Sequence, residues 1–342
     1  MKIAQLGYGY WGRNLLRVFG MQKGVEIALC CETEKATQKI LAKAEPGIEI
    51  CADISAVADR KDVEAVVIAT PAALHYSQAK MMIQAGKHVF VEKPMARTTA
   101  EAEELVALSE SMGKVLMVGH TFLYNDAVRW VKKYIEKGEM GDVYYAYFQR
   151  LSLGRVRHDV NVLLNLAPHD VSMALYWMDE LPNYVQAQGM SILQPGIDDV
   201  NFMNLQFPSG RSAHIHVSWI DPFKTRRAVI VGSRSMVVYD DTASDHKITI
   251  FNKGIGQFAS EPDIGSTPFQ NFGQFNLIHR VGDIVIPKLK FREPLQVEAA
   301  HFIECVREGK RPLTDARHGL EVVRVLEMAE RGCVSTGKES YA

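Results

Sequence analysis

Apolar positions fall into two alternating rhythms over the first 120 residues. Short continuous apolar runs at 3–6, 25–31, 48–52, 65–69, 88–91 and 115–118 predict buried strands. Between them, apolar residues recur every three or four positions, predicting helices at 11–21, 33–44, 75–85 and 98–112, with a helical turn at 54–58. The punctuation agrees: Pro71 halts the fourth strand, Gly86 and Gly113 stop helices, and Thr98 or Thr99 serves as an N-cap. Such alternation predicts a parallel sheet with helices on both faces.

The rhythm changes after about residue 120. A helix at 127–137 precedes an aromatic-rich strand at 143–150 and a helix at 166–178. Strand-like runs then follow at 201–207, 213–219, 228–231, 235–240 and 247–251, with Pro208-Ser209-Gly210 as a turn. Strands without intervening helices predict an open, mainly antiparallel sheet. Residues 253–290, rich in Gly, Pro, Asn and Phe, suggest a long arm, and helices at 296–308 and 316–330 close the chain. The expected fold is therefore α/β plus α+β. A parallel-sheet domain spans 1–121, and a second, α+β domain spans 122–342. The closing helices are free to pack back on the first domain.

Composition narrows the function class. A chain of 342 residues with 47% hydrophobic and 23% charged residues suits two ordinary globular cores. A net charge of -1 gives no bulk field for nucleic acid or an anionic membrane, so neither is an expected partner. No segment approaches the roughly 20 apolar residues of a membrane helix. Gly7, Gly9, Gly12 and Arg13 interrupt anything resembling a signal peptide. The five cysteines are odd in number and lack C-x-x-C spacing. They predict free thiols in a reducing, cytoplasmic compartment and no metal site.

The strongest local signal is Gly7-Tyr8-Gly9-Tyr10-Trp11-Gly12, which follows a strand and opens a helix. The three glycines act differently. Gly7 permits the turn, Gly9 lets a pyrophosphate approach, and Gly12 lets helix and strand pack closely. The helix N-terminus then offers free N–H groups and a positive dipole end to phosphate. This is the fingerprint of a Rossmann domain. Glu32, twenty positions beyond Gly12, ends the second strand. Its carboxylate suits both ribose hydroxyls of adenosine and repels a 2′-phosphate, which favours NAD over NADP.

Glu92-Lys93-Pro94 follows the fifth strand, at the strand end where ligands of such sheets bind. Pro94 has an accessible cis form that would aim the lysine inward. With Ala69-Thr70-Pro71 and Gly119-His120 in the same order, these motifs resemble the Gfo/Idh/MocA oxidoreductases, the glucose–fructose oxidoreductase and inositol dehydrogenase group. The resemblance runs through the second domain, including Asn165-Leu166-Ala167-Pro168-His169-Asp170. It implies that Tyr8, Tyr10, Trp11, Thr70, Pro71, His75, Glu92, Lys93 and His120 join the glycines and Glu32 at the cofactor. His120 either lines the nicotinamide region or packs behind it. It further implies that Lys93 contacts the substrate hydroxyl. The family's usual Asp-x-x-x-His reads Asn165…His169 here. Asn cannot take up a proton, so it can only orient substrate. His169 is the expected general base, with Lys93 as the alternative.

Gln149 and Arg150, Arg155 and Arg157 cluster between a strand and the His169 helix. Guanidinium groups suit phosphate or carboxylate. The stretch resembles a branch acting on nucleotide-linked amino sugars, which implies oxidation at C3 of UDP-N-acetylglucosamine to a 3-keto sugar. On that reading an Arg meets the diphosphate, and Tyr124, Asn125, Gln149 and Asn165 contact sugar or acetamide. Alternatives are a free polyol or monosaccharide, inositol-like, and a redox-inactive NAD-binding sensor or scaffold. The resemblance also implies subunit pairing through the open sheet face, with His214, His216, Val217 and Trp219 on one strand, giving a homodimer or homotetramer.

Overall fold

The computed structural model describes residues 1–154, 156–158, 160–255, 279–280 and 282–337. Two compact units emerge: Met1–Asn125 with Phe291–Glu327, and Asp126–Lys290 with Met328–Ala342.

The first unit contains strands β1 (Lys2–Leu6), β2 (Glu26–Cys31), β3 (Glu49–Cys51), β4 (Ala65–Ile68), β5 (His88–Val91) and β6 (Leu116–Val118). They form one sheet in the order β3-β2-β1-β4-β5-β6, and every pairing is parallel. That is the doubly wound order, whose topological switch lies between β1 and β4. Helices α1 (Tyr10–Gly20), α2 (Lys35–Ala44), α3 (Ile54–Asp59), α4 (His75–Gln84) and α5 (Thr99–Ser111) alternate with the strands. Thr98 caps α5 in a reciprocal capping box with Glu101. All four residues of β4 are buried, as a central parallel strand requires.

One closing helix completes this core. Leu295, Ala299, Phe302 and Ile303, all on α8 (Pro294–Glu308), join Ile3, Leu15, Phe19 and Phe90 in one buried cluster. Phe19, Phe90 and Phe302 meet edge to face, with centroids 5.4, 5.9 and 5.8 Å apart. Helix α9 (Ala316–Arg331) follows, adding Ala316 and Val323 to the cluster around β4 and β5.

The second unit begins with α6 (Asp126–Glu136), β7 (Val143–Leu153) and α7 (Val162–Met178). Strands β8 (Tyr184–Ser191), β9 (Val200–Gln206), β10 (Ser212–Ser218), β11 (Ile220–Gly232), β12 (Met236–Asp240) and β13 (Ile248–Phe251) come next. Short strands β14 (Gly254–Ile255) and β15 (His279–Arg280) pair with each other, while β16 (Ile284–Val285) and β17 (Cys333–Gly337) add to the main sheet. Its order is β16-β13-β12-β11-β7-β10-β9-β8-β17. Most pairings are antiparallel, but β7–β10 and β8–β17 are parallel, so the sheet is mixed. Much of the predicted 253–290 arm lies outside the described residues.

Period-two alternation sets the two faces of this sheet. In β7, Ala146, Phe148 and Arg150 are buried, while Tyr145, Tyr147 and Gln149 share the other face. Phe148 stacks on Trp177 of α7, with centroids 5.5 Å apart, so α7 covers the buried face. The expected grouping on β10 needs correction. His214 and His216 share the open face with Tyr147 and Gln149, whereas Val217 and Trp219 are buried on the other side.

One ion pair lies deep in that packing. The Arg150 guanidinium donates through Nε and Nη2 to the two Asp170 oxygens, each at 2.8 Å, and both side chains are buried. Burial opposes the Arg150 charge, but Asp170 overrides it and holds the guanidinium above its ordinary range. Asp170→Ala would strand a charge in the core. The expected loss is about 3–5 kcal/mol of stability, read as a lowered urea midpoint; a midpoint unchanged from wild type would refute it.

Candidate active site

The carboxyl edge of the first sheet is drawn level by backbone bonds running past each strand. Gly7 N donates to Cys31 O at 2.8 Å, Ala69 N to Leu6 O at 2.8 Å, Glu92 N to Ile68 O at 3.0 Å, and Gly119 N to Val91 O at 2.8 Å. The loops after β1, β4, β5 and β6 therefore start in register. They carry Gly7–Gly12, Thr70-Pro71, Glu92-Lys93-Pro94 and His120.

Gly7 has φ +89, and a Cβ there would stand 2.8 Å from Ala69 O. A Cβ on Gly12 would stand 2.4 Å from Gly7 O, which is why α1 can begin so close to β1. Gly9 differs: a Cβ there meets no atom within 4 Å. It caps α1 with no side-chain bond, so the first amides of the helix, beginning at Tyr10, point outward without intrahelical acceptors. An open cradle at a helix N-terminus fits a pyrophosphate.

Gln5 holds this loop, a role its position in a strand did not announce. Its buried Nε2 donates to Gly7 O and Gly12 O, both at 2.8 Å, using both amide hydrogens. Glu32 sits at the end of β2. Its Oε2 accepts from Tyr8 N at 2.8 Å and its Oε1 from Glu34 N at 2.9 Å. Each oxygen retains a second lone pair for a ribose hydroxyl. The Tyr8 ring, by contrast, is packed with Leu16, Cys30 and Leu41, so that residue offers the loop its backbone, while Tyr10 is exposed.

Glu92 and Lys93 follow β5, and the Lys93–Pro94 peptide is cis. Glu92 is buried, accepts from Trp11 Nε1 and receives the Lys93 amide at 3.2 Å. The glycine loop and the lysine turn thus share a hydrogen-bonded carboxylate. Burial pushes Glu92 up to about 7, opposed by Lys93, the indole and the Lys93 amide. Gly119 makes room for it, since a Cβ there would come within 2.9 Å of Glu92 Oε1. Around this turn, other ionisable groups are held neutral. Burial drives His120 well below its ordinary range, helped by His318 and Lys93, and lowers His318 to about 4. Burial, then Glu92, drives Glu298 well above the carboxylate range, although it accepts from Thr121 Oγ1 at 2.7 Å. Glu298, like Gln5, was not foreseen: a lone Glu in an amphipathic helix reads as a solvated charge.

Thr70 Oγ1 donates to Gln78 Oε1 at 2.6 Å, and Pro71 is exposed. His75 is buried between backbone carbonyls rather than presented to a ligand. Tyr124 corrects a substrate expectation. It is fully buried in the first unit's core, with its hydroxyl 3.1 Å from Thr314 Oγ1, and Asn125 is buried as well.

In the second unit, Asn161 caps α7 by accepting from Leu164 N at 2.9 Å. Asn165 and His169 are one turn apart on the same helix face, both partly buried. Trp219 Nε1 donates to Asn165 Oδ1 at 3.4 Å. The indole only donates, so the contact assigns the oxygen and leaves the amide nitrogen, a donor, turned away. Gln149 and Arg150 lie on opposite sheet faces, so the predicted cluster is divided. Arg150 is committed to Asp170, Arg157 is exposed, and Arg155 lies outside the described residues.

Residues 1–120 match the family model described as "Oxidoreductase family, NAD-binding Rossmann fold", and residues 128–238 match the "GFO/IDH/MocA C-terminal domain". A 4-carboxy-2-hydroxymuconate-6-semialdehyde dehydrogenase of Sphingobium sp. is 32% identical across 95% of this chain and 96% of its own length. The chain belongs to the Gfo/Idh/MocA oxidoreductase family. It is also 28% identical to a 2,7-anhydro-N-acetylneuraminate hydratase of Mediterraneibacter gnavus, over 69% of this chain and 66% of that protein. The fold is similar to that of UDP-N-acetylglucosamine 3-dehydrogenase from Acidithiobacillus ferrooxidans, with TM-score 0.80, 21% identity and 97% coverage of both chains. This family member is an NAD-binding oxidoreductase with an N-terminal Rossmann domain. Among the described residues, no helix is long and apolar enough to cross a membrane, and no group of three or more His, Cys, Asp or Glu could hold a metal.

The glycine geometry separates two effects. Gly9→Ala should leave the melting temperature unchanged and weaken NAD binding about tenfold or more, because its Cβ enters only the cradle. Gly12→Ala should cost about 1–3 kcal/mol of stability as the turn shifts. Calorimetry and NAD titration of both variants check this; equal stability of the two would contradict it.

Proposed function

We propose that this oxidoreductase oxidises a secondary hydroxyl of a sugar to a ketone, with C3 of UDP-N-acetylglucosamine as the favoured substrate. The observation carrying the proposal is the Glu92-Lys93-Pro94 turn. It sits at the carboxyl end of β5, bound through Glu92 to Trp11 of the nucleotide loop. Bound NAD supplies the hydride acceptor, nicotinamide C4. Lys93 polarises the carbinol oxygen while the carbon gives up its hydride, and His169 takes the hydroxyl proton. Asn165 orients substrate without exchanging protons. A neutral His120 suits this role, since it adds no like charge beside Lys93.

The nucleotide-sugar choice rests on the second unit's arginines. With Arg150 tied to Asp170, exposed Arg157 is the residue assigned to the diphosphate. Five free cysteines fit a reducing, cytoplasmic setting. Lys93→Ala should lower kcat by roughly a hundredfold to ten-thousandfold while NAD affinity stays near wild type. The assay follows reduced-nicotinamide absorbance with UDP-sugars, free sugars and inositols. Turnover of free inositol alone would replace the nucleotide sugar, and NAD binding without turnover of any substrate would favour a sensor.

The open face of the second sheet is proposed to pair subunits. Tyr145, Tyr147, His214, His216 and Phe202 present a broad face of rings, with Phe202 stacked on His216 at 4.3 Å. A face of this kind is costly to leave in water. Sedimentation should show a homodimer or homotetramer, and Tyr147→Glu with His216→Glu should yield monomers. An assembly unaffected by both charges would place the interface elsewhere.

A further inference from the structure

His75 opens α4 and is 1% exposed. Its Nδ1 lies 2.7 Å from Pro94 O, and its Nε2 lies 2.8 Å from Thr70 O. Both partners are carbonyl oxygens, which only accept. A neutral imidazole carries one N–H, and an imidazolium carries two. A bare ring nitrogen facing a carbonyl oxygen at these distances sets lone pair against lone pair, so each contact is satisfied only by a donor. The two carbonyls belong to different loops. One ends the Ala69-Thr70 segment after β4; the other follows Lys93 after β5.

We propose that His75 is a positioning residue for the reaction. With hydrogen on both ring nitrogens it straps the Lys93-Pro94 turn to the Thr70-Pro71 turn, and so fixes where Lys93 leaves the sheet edge. At 1% exposure its ring is enclosed by these two carbonyls rather than open to a ligand. The role rests on Lys93 carrying the chemistry, as proposed above.

The surroundings make the strap conditional. Burial, and after it the Lys93 charge, oppose the imidazolium; the Pro94, Thr70 and Glu92 backbone contacts favour it. The balance lies below the ordinary histidine range. On α4 and α5, Glu104 is held by Tyr76 and Lys80, and Lys93 is the charged side chain that bears on the ring. Because the folded value is lowered, the second donor is present only on the acid side. It is lost as pH rises through that depressed midpoint, leaving one of the two contacts made.

Two measurements test this. In the full-length protein labelled at histidine nitrogen, NMR should show two protected ring N–H signals for His75 on the acid side of that midpoint, one of them lost as pH rises. A single N–H at every pH at which the fold persists would overturn the double-donor strap, whatever the substrate proves to be. In turnover, His75→Phe removes both donors and should lower kcat about tenfold to a hundredfold, the scale of an ångström-level misplacement. The dissociation constant for NAD should change less than about threefold. His75→Gln, which keeps an amide donor, should recover part of the loss. Wild-type kcat in His75→Phe, or a loss confined to NAD affinity, would overturn the positioning role. If His75→Phe does not fold, the Gln variant and the NMR signature decide. Loss of turnover in Lys93→Ala, measured alongside, distinguishes failure of the strap from failure of the dehydrogenase reading.

Discussion

The closeness of Gly12 to the Gly7 carbonyl is the constraint on which the first unit's edge depends. A single Cβ at Gly12 would stand 2.4 Å from that oxygen. Only because it is absent can α1 begin within a few residues of β1 and aim its free amides over the switch point. Gln5 then secures the arrangement from inside the sheet, giving both amide hydrogens to the two glycine carbonyls. At about 1 kcal/mol per bond its contribution to stability is modest. Its contribution to shape is larger, because a loop with few side chains has little else to fix it.

From that turn the order passes along the edge by hydrogen bonds. Trp11 reaches Glu92, Glu92 accepts the Lys93 amide, and Pro94 O faces the His75 ring that also faces Thr70 O. Each link joins loops that leave different strands. The cost is burial of ionisable groups, and the unit meets it mostly by neutralising them. Glu92 is pushed up to about 7 and Glu298 well above the carboxylate range, while His120 and His318 are pushed down. Removing charge in place is less costly than keeping it unpaired. The second unit solves the same problem the other way, by pairing Arg150 with Asp170 in a two-pronged bond.

Local signals were legible in the sequence; long-range ones were not. The glycine spacing, Glu32 and the Glu92-Lys93-Pro94 turn each declare themselves within a few residues, and the parallel order follows from strand–helix alternation. Gln5 sits in β1 among apolar neighbours and looks like any polar residue in a strand. Glu298 looks like a surface charge until α8 is seen to pack on Phe19 and Phe90. Arg150 and Asp170 are twenty residues apart, on a strand and a helix, so only tertiary structure reveals the pair. Gln149 shows the same limit at shorter range: its neighbour Arg150 suggested a shared site, but strand periodicity sends the two to opposite faces. Helix α7 starts at Val162, ahead of the expected 166, because Asn161 caps it there, and Pro168 lies well inside it.

Pro168 also bears on how the second unit presents its chemistry. Proline has no N–H, so the Leu164 carbonyl loses its usual partner one turn away, directly before Asn165. The helix is thus weakened between the two residues that the sequence assigns to substrate, and the Asn161 cap and Trp219 support it from either side. A carboxylate at position 165 would meet the indole N–H equally well. It would also add a negative charge one turn from His169. The amide accepts the same bond without that charge, and its nitrogen faces away as a donor. Asn165 therefore meets the indole N–H as a carboxylate would, without placing a fixed negative charge in that turn of the helix.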